Sequence, residues 1–144
     1  MTNKTGGFYM KLRRILSLVL VFSCLLSLGA SADISLEPQF THTRRISATL
    51  SINGNSADCL GAVYPLPSDE SRIVRVYVYL QRYESDWVTI ETWTDSAIDY
   101  TALAGGLKTV TQGYDYQVYV IGTISDAEGV LLELVTKTSS IVSY

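Results

Sequence analysis

The sequence predicts an all-β protein, an antiparallel sandwich of about seven strands. Apolar and polar residues alternate with period two in several segments, which is typical of strands with one buried face. Turn residues separate these segments at the intervals expected of an antiparallel sandwich. No segment has the residue spacing of an amphipathic helix of useful length. The prediction applies to residues 33–144, because residues 1–32 have a different character.

The first 32 residues have the organisation of a secretory signal peptide. A basic segment ending at Arg13-Arg14 precedes an apolar run over residues 15–28, and Ala30-Ser31-Ala32 is a small-residue cleavage site. The apolar run is shorter than the ~20 residues of a spanning helix, so a permanent anchor is the weaker alternative. The arginine pair also occurs in twin-arginine signals, but the strongly apolar run favours the general secretory route. We therefore expect an exported protein that leaves the membrane after cleavage before Asp33.

The charge balance bears on the partners of the exported chain. The whole sequence has a formal net charge of −3, and the first 32 residues carry four of its 11 Lys and Arg but none of its 14 Asp and Glu. The remaining domain, residues 33–144, is therefore more acidic than the whole chain. An acidic surface argues against nucleic acid and anionic lipid as partners.

Cysteine content excludes an internal disulfide in the exported domain. Cys24 lies in the apolar run, and the residues before it match a lipid-attachment motif poorly, so we expect it to leave with the signal peptide. Only Cys59 then remains. We interpret Cys59 as a small buried apolar residue, with a reactive or intermolecular thiol as the alternative.

The domain begins with a lead-in and a predicted hairpin. Residues 33–44 have no strong period and form a lead-in with His42 at the surface, and residues 45–52 alternate strictly as a strand. Asn53-Gly54 predicts a type I′ turn, after which residues 57–64 return with Gly61 at a close backbone approach. Residues 65–71 make the one predicted crossing to the second sheet.

The most regular strand spans residues 72–83, with Val74, Val76, Val78 and Leu80 inward. Residues 87–94 alternate with an ambiguous inner face. Because Glu91 lies between Trp87 and Trp93, we favour Val88 and Ile90 inward and the tryptophans partly covered.

The second half begins with a polar connector over residues 95–101 and a short strand over 107–111. After a strand over 116–124, a loop containing Gly129 leads to a strand over 130–136 with Val130, Leu132 and Leu134 as its inner set. The tail over 137–144 either extends this strand or frays.

A corner at residues 110–116 carries the clearest resemblance. Val110, Gly113 and Tyr116 occupy the places of the apolar residue, the turn glycine and the tyrosine that precede strand F in immunoglobulin-like and fibronectin type III-like sandwiches. The chain resembles those folds, which implies a Greek-key sandwich in which the hydroxyl of Tyr116 bonds to nearby backbone. In immunoglobulin domains a cysteine follows two residues after this tyrosine, and here that place is Val118.

A second resemblance covers most of the exported chain. Its motifs are Asn53-Gly54, Cys59, Leu80-Gln81-Arg82-Tyr83, Trp87 with Trp93, and Gly113-Tyr114-Asp115-Tyr116. With the export signal, they are similar to a group of small uncharacterised secreted proteins of Gram-positive bacteria. These motifs are structural, so the resemblance implies no active site.

The residues that commonly perform catalysis are few. His42 is the only histidine, which leaves no spacing for a catalytic triad or for a zinc site. Carboxylates are dispersed over loops, as Asp69 with Glu70, Glu84 with Asp86, Asp95 with Asp99, and Asp126 with Glu128. They are interpreted as solvated turn residues, although a calcium site or a pair of hydrolytic carboxylates is the alternative. We expect no enzyme activity, no cofactor and no metal.

One aromatic surface is the candidate binding site. If the strands over 72–83 and 116–124 are neighbours, their outward tyrosines lie together, flanked by polar side chains. The set is Tyr77, Tyr79, Tyr119, Arg75, Gln81 and Gln117. Tyrosines suit recognition of a protein or glycan, whereas the alternative is cross-strand pairing that only stabilises the sheet.

These observations predict a secreted, non-catalytic module that binds or assembles at the cell surface through a sheet face or edge. A small secreted hydrolase or effector that uses loop carboxylates is the alternative.

Overall fold

The computed structural model describes residues 39–144. The predicted signal peptide over residues 1–32 and the predicted domain start at Asp33 lie outside these residues. The described chain consists of strands joined by short turns. They are β1 (Thr43–Asn53), β2 (Ser56–Pro65), β3 (Arg72–Tyr83), β4 (Trp87–Ile98), β5 (Ala102–Thr109), β6 (Asp115–Asp126), β7 (Leu131–Thr138) and β8 (Val142–Ser143).

Two antiparallel sheets form the sandwich. One sheet has the strand order β1-β2-β5, and the other has the order β4-β3-β6-β7, with β8 also pairing with β6. The predicted all-β antiparallel sandwich is confirmed, with eight strands rather than about seven. In constant-type immunoglobulin domains the fourth strand belongs to the sheet of the first strand. Here β4 lies beside β3 in the larger sheet.

The core lies between the sheets and is built by the predicted alternation of β3 with its neighbour β6. Val78 pairs with Val120 and Leu80 pairs with Val118, and all four side chains are fully buried. β-Branched residues at these positions fit a pleated surface with one buried side. The opposite sheet contributes small residues, including Ala57 and Cys59.

Gly61 lets the two sheets approach closely, as predicted. A Cβ atom at this position would lie 2.5 Å from Val78 Cγ2 and 2.8 Å from Val120 Cγ2, both on the facing sheet. These distances are shorter than real Cβ contacts allow, so the position accommodates no side chain without movement of the core.

The corner before β6 is formed as the resemblance implied. The ring of Tyr116 is fully buried, and its hydroxyl donates to the Thr111 carbonyl oxygen at 2.7 Å and accepts from the Thr111 amide at 3.0 Å. Gly113 has φ of 94°, a conformation that glycine adopts at no steric cost. One side chain thus satisfies both backbone groups of a corner residue.

The β4 prediction was partly wrong, because a bulge changes the side-chain alternation. Leu80 pairs with Glu91 and Gln81 with Thr89, which leaves Ile90 as an extra residue. Ile90 and Trp93 both pack against the core, whereas Val88 is 43% exposed. The strand also runs on to Ile98 through the segment predicted as a polar connector.

The β5 prediction was also too short. The strand begins at Ala102 rather than at residue 107, and Ala102 and Ala104 are buried. Small residues fit in this strand because it passes close to β4, where a Cβ atom at Gly106 would lie 2.7 Å from Trp93 Nε1. Since β4 and β5 belong to different sheets, the chain crosses between sheets three times rather than once.

The predicted inner set of β7 was wrong by one residue. Val130, Leu132 and Leu134 are 61%, 39% and 57% exposed, whereas Val135 is 3% exposed. Val135 pairs with Gly122, which has no side chain to compete for the space beneath the strand. This pairing sets the phase of the strand, so its neighbour Leu134 faces outward opposite Thr123. The chain then turns back after β7 and forms β8 instead of extending or fraying.

Candidate functional site

The six residues of the predicted binding surface lie together on the outer face of the larger sheet. We call this set the tyrosine face. Tyr79 pairs with Tyr119 and Gln81 with Gln117 across β3 and β6. Tyr77 and Arg75 occupy the next two outward positions of β3, and every member is partly exposed. The tyrosine face is Arg75, Tyr77, Tyr79, Gln81, Gln117 and Tyr119.

The two paired tyrosines form its centre. The ring centroids of Tyr79 and Tyr119 are 6.2 Å apart, with an interplanar angle of 29°. This is an offset stack, which contributes roughly 0.5–1.5 kcal/mol beyond the burial of the rings. The stack stabilises the sheet and also holds both rings in a fixed orientation, so the two interpretations of the tyrosines are compatible.

A hydrogen-bonded pair of amides bounds one end of the tyrosine face. Gln117 Nε2 donates to Gln81 Oε1 at 2.8 Å, and Gln81 Nε2 lies 3.5 Å from Thr89 Oγ1 on β4. The bond between the two amides orders side chains that otherwise rotate freely on an exposed sheet. This end therefore presents fixed donors and acceptors.

A shallow depression of about 390 Å³ lies at the other end. Arg75, Tyr77, Thr94, Asp95 and Ser96 line it. Arg75 is the only charged member of the tyrosine face. The carboxylate of Asp95 accepts the amide N–H of Leu103 at 3.1 Å, which ties β4 to β5 beside the depression.

Two apolar residues continue the surface, and sequence reasoning missed both. Ile121 pairs with Tyr77 on the outer face, and Leu134 pairs with Thr123 on the same face of β7. The alternation of apolar and polar residues in β6 already places Ile121 on the outer face, two residues after Tyr119. Leu134 was assigned to the core because the phase of β7 was predicted wrongly.

Several loop carboxylates accept hydrogen bonds that fix the ends of strands, either within their own turn or from a neighbouring strand. Asp99 accepts the Arg72 amide at 2.6 Å and the Ser71 hydroxyl at 3.0 Å, and Asp126 accepts the Val130 amide at 2.7 Å. Within residues 39–144, no three His, Cys, Asp or Glu side chains are grouped so as to hold a metal ion. These bonds give Asp99 and Asp126 a structural role at strand ends.

Glu133 is a carboxylate with an unpredicted structural role. Its two oxygens accept the amides of Thr41 and His42 at 2.7 and 3.0 Å and the Thr43 hydroxyl at 2.7 Å. Partial burial opposes ionisation of Glu133, but these hydrogen bonds outweigh it and hold its pKa below the ordinary value. The side chain thereby fastens the start of β1 to β7.

His42 and Cys59 lie apart from the tyrosine face. His42 is half-buried rather than at the surface, and its carbonyl oxygen accepts the Leu66 amide at 2.8 Å. Cys59 is buried, as predicted, in the inter-sheet core. Burial, followed by the nearby charge of Asp58, raises the pKa of its thiol to about 12. A thiol with so little thiolate at neutral pH is a poor nucleophile.

Neither a scan against protein-family models nor a search of curated proteins finds a match to this chain. Residues 39–144 contain no helix that is long and apolar enough to cross a membrane.

Proposed function

We propose that the protein is an exported, non-catalytic module that binds a protein or glycan at the cell surface through the tyrosine face. The observation that carries this proposal is the stacked pair of Tyr79 and Tyr119 on an outward sheet surface, with Tyr77 beside it. Aromatic rings with few rotatable bonds give large contact area at low entropic cost. The sandwich supplies a rigid support for them.

The composition of the surface supports a partner that is not strongly charged. The tyrosine face contains a single charged side chain, Arg75, and its remaining polar groups are amides and phenol hydroxyls. Such groups exchange hydrogen bonds with amides or hydroxyls of a ligand. Nucleic acid needs a cluster of basic residues, which this surface does not provide.

Export is part of the same proposal and rests on the signal-peptide organisation of residues 1–32, together with the resemblance to small secreted proteins of Gram-positive bacteria. The intact mass of the protein from culture medium or cell envelope tests it. We expect a chain that begins at Asp33. A mass that corresponds to the full 144 residues would contradict cleavage.

The binding proposal is tested by capture of cell-envelope material on the immobilised protein. A triple variant with Tyr77, Tyr79 and Tyr119 each changed to Ser should lose capture while remaining folded. The matched control changes the same number of tyrosines outside the tyrosine face, at Tyr64, Tyr100 and Tyr114, to Ser. Circular dichroism and thermal unfolding verify that both variants are folded.

The two variants give opposite expectations. The control should capture as well as the unchanged protein. Equal capture by the tyrosine-face variant would refute the tyrosine face as the binding surface. Loss of capture in both variants would also count against it, because the loss would then not depend on position.

A further inference from the structure

The outer edge of β7 is an open edge of the larger sheet. β7 ends the larger sheet, and its only backbone partner within residues 39–144 is β6. Leu131, Leu132 and Leu134 are 55%, 39% and 57% exposed along this short strand. An exposed edge with apolar side chains is a template for pairing with another strand.

The other edges carry features that oppose such pairing, and β7 has one of its own, a register shift opposite Ile124 and Ser125. Beyond this shift, residues 133–138 of β7 pair regularly with β6. β1 has a register shift between Thr43 and Arg45 and two consecutive arginines at its start. β4 and β5 are joined across the sheets by the Lys108 Nζ to Glu91 Oε2 ion pair of 2.6 Å. Bulges, charges and covering contacts are the usual protections of edge strands.

The charges of β7 are arranged symmetrically about Val135. Glu133 and Lys137 lie two residues before and two residues after it, so all three share one face of the strand. Neither charge has an ion-pair partner among residues 39–144. The Glu133 carboxylate accepts three hydrogen bonds from residues 41–43, and its negative charge is not neutralised by them.

One antiparallel register pairs both charges. If the twofold axis passes through Val135, Glu133 lies opposite Lys137 of the partner subunit, and the same pair forms again on the other side of the axis. A register centred on Glu133 or on Lys137 places like charges opposite each other, which destabilises a sheet. Intermediate registers leave the charges unpaired. The charges therefore select one register.

We propose that two copies of the chain pair through β7 in this antiparallel register and join their larger sheets into one. Leu134 then lies opposite Thr136 of the partner subunit on the outer face, where the exposed leucines become partly covered. A closed twofold contact of this kind uses the same strand from both copies. It also places two tyrosine faces on one continuous surface, which increases avidity for a repetitive ligand.

The first test measures self-association by sedimentation of the full chain. We expect a monomer–dimer equilibrium that the Lys137→Glu variant weakens by roughly tenfold or more, because two attractive pairs become repulsive. Glu133→Lys alone should weaken it similarly. An equimolar mixture of the two variants should restore the dimer, since each copy then supplies the charge that the other lacks.

The second test uses cross-linking and does not depend on the fold tolerating a change at Glu133. In a Cys24→Ser background, chains with Leu134→Cys are mixed with chains with Thr136→Cys. Opposite residues of an antiparallel pair have Cα atoms about 4.5–5.5 Å apart, which suits a disulfide. We expect the mixed disulfide to form in clear excess over either like pair.

These outcomes decide the proposal. A chain that sediments as a monomer at its highest soluble concentration would overturn it. A dimer that Lys137→Glu leaves unchanged, or equal yields of like and mixed disulfides, would also overturn the β7 register. None of these results depends on the ligand of the tyrosine face, so the dimer and the binding proposal can fail separately.

Discussion

Removal of one oxygen from Tyr116 tests the corner that organises the sandwich. In Tyr116→Phe the ring stays buried, so the apolar contribution to folding is kept. The variant loses the hydroxyl that accepts from the Thr111 amide and donates to its carbonyl oxygen. Both backbone groups of Thr111 then lose the partner that the tyrosine hydroxyl supplies, since a phenylalanine ring has no hydrogen-bonding group.

The size of the effect follows from the two lost hydrogen bonds. Each contributes a net of about 0.5–1.5 kcal/mol, so the free energy of unfolding should fall by roughly 1–3 kcal/mol. For a unit of this size that corresponds to a Tm about 4–12 °C lower.

Urea unfolding followed by tryptophan fluorescence measures the change, since Trp93 packs against the core. The matched control is Tyr119→Phe on the same strand, whose hydroxyl makes no hydrogen bond to residues 39–144 and faces outward. The control should change stability by less than about 0.5 kcal/mol. A loss in Tyr116→Phe no larger than in the control would refute the structural role of the corner.

Three further predictions concern the core and its charges. Gly61→Ala should lower the free energy of unfolding by about 1–3 kcal/mol, because the added methyl group collides with Val78. A urea unfolding midpoint equal to that of the unchanged protein would contradict the close approach of the two sheets. Since the pKa of Glu133 is lowered in the fold, its stabilising contribution is present above the unfolded pKa of about 4.3 and is lost as the pH falls through the folded value. The difference in free energy of unfolding between the unchanged protein and Glu133→Gln should therefore narrow as the pH falls from about 6 to about 3. A difference that stays constant over this range would argue against an ionised Glu133. Because burial raises the pKa of the Cys59 thiol to about 12, Cys59 should resist alkylation in the folded protein at about pH 8, where an exposed thiol reacts. Unfolding in urea should make it reactive. Rapid labelling of the folded protein, detected by peptide mapping, would contradict a closed core.

Strict alternation made much of the fold predictable. β3 and β6 were found with the correct inward faces because each alternates without interruption and buries a run of β-branched residues. The corner was predictable because Val110, Gly113 and Tyr116 each have a local reason for their position. The tyrosine face followed directly, since it is the opposite side of the same two strands.

The errors in β4 and β7 have different physical causes. In β4 a bulge at Ile90 adds one residue, and alternation read along one strand cannot detect an irregularity that exists only relative to its neighbour. In β7 the phase is set by the partner position Gly122 and by the bonds of Glu133 to residues 41–43. The spacing of Val130, Leu132 and Leu134 suggested an inner face, and only the tertiary structure shows that these residues are exposed.

The central claim is that the tyrosine face is the surface through which this protein binds. Hydroxyl-radical footprinting with mass spectrometry measures it directly, because the oxidation of each tyrosine is followed with and without cell-envelope material. We predict that Tyr77, Tyr79 and Tyr119 lose oxidation on binding, whereas the exposed Tyr100 keeps it. Protection that spares these three tyrosines and appears elsewhere on the sandwich would contradict the claim.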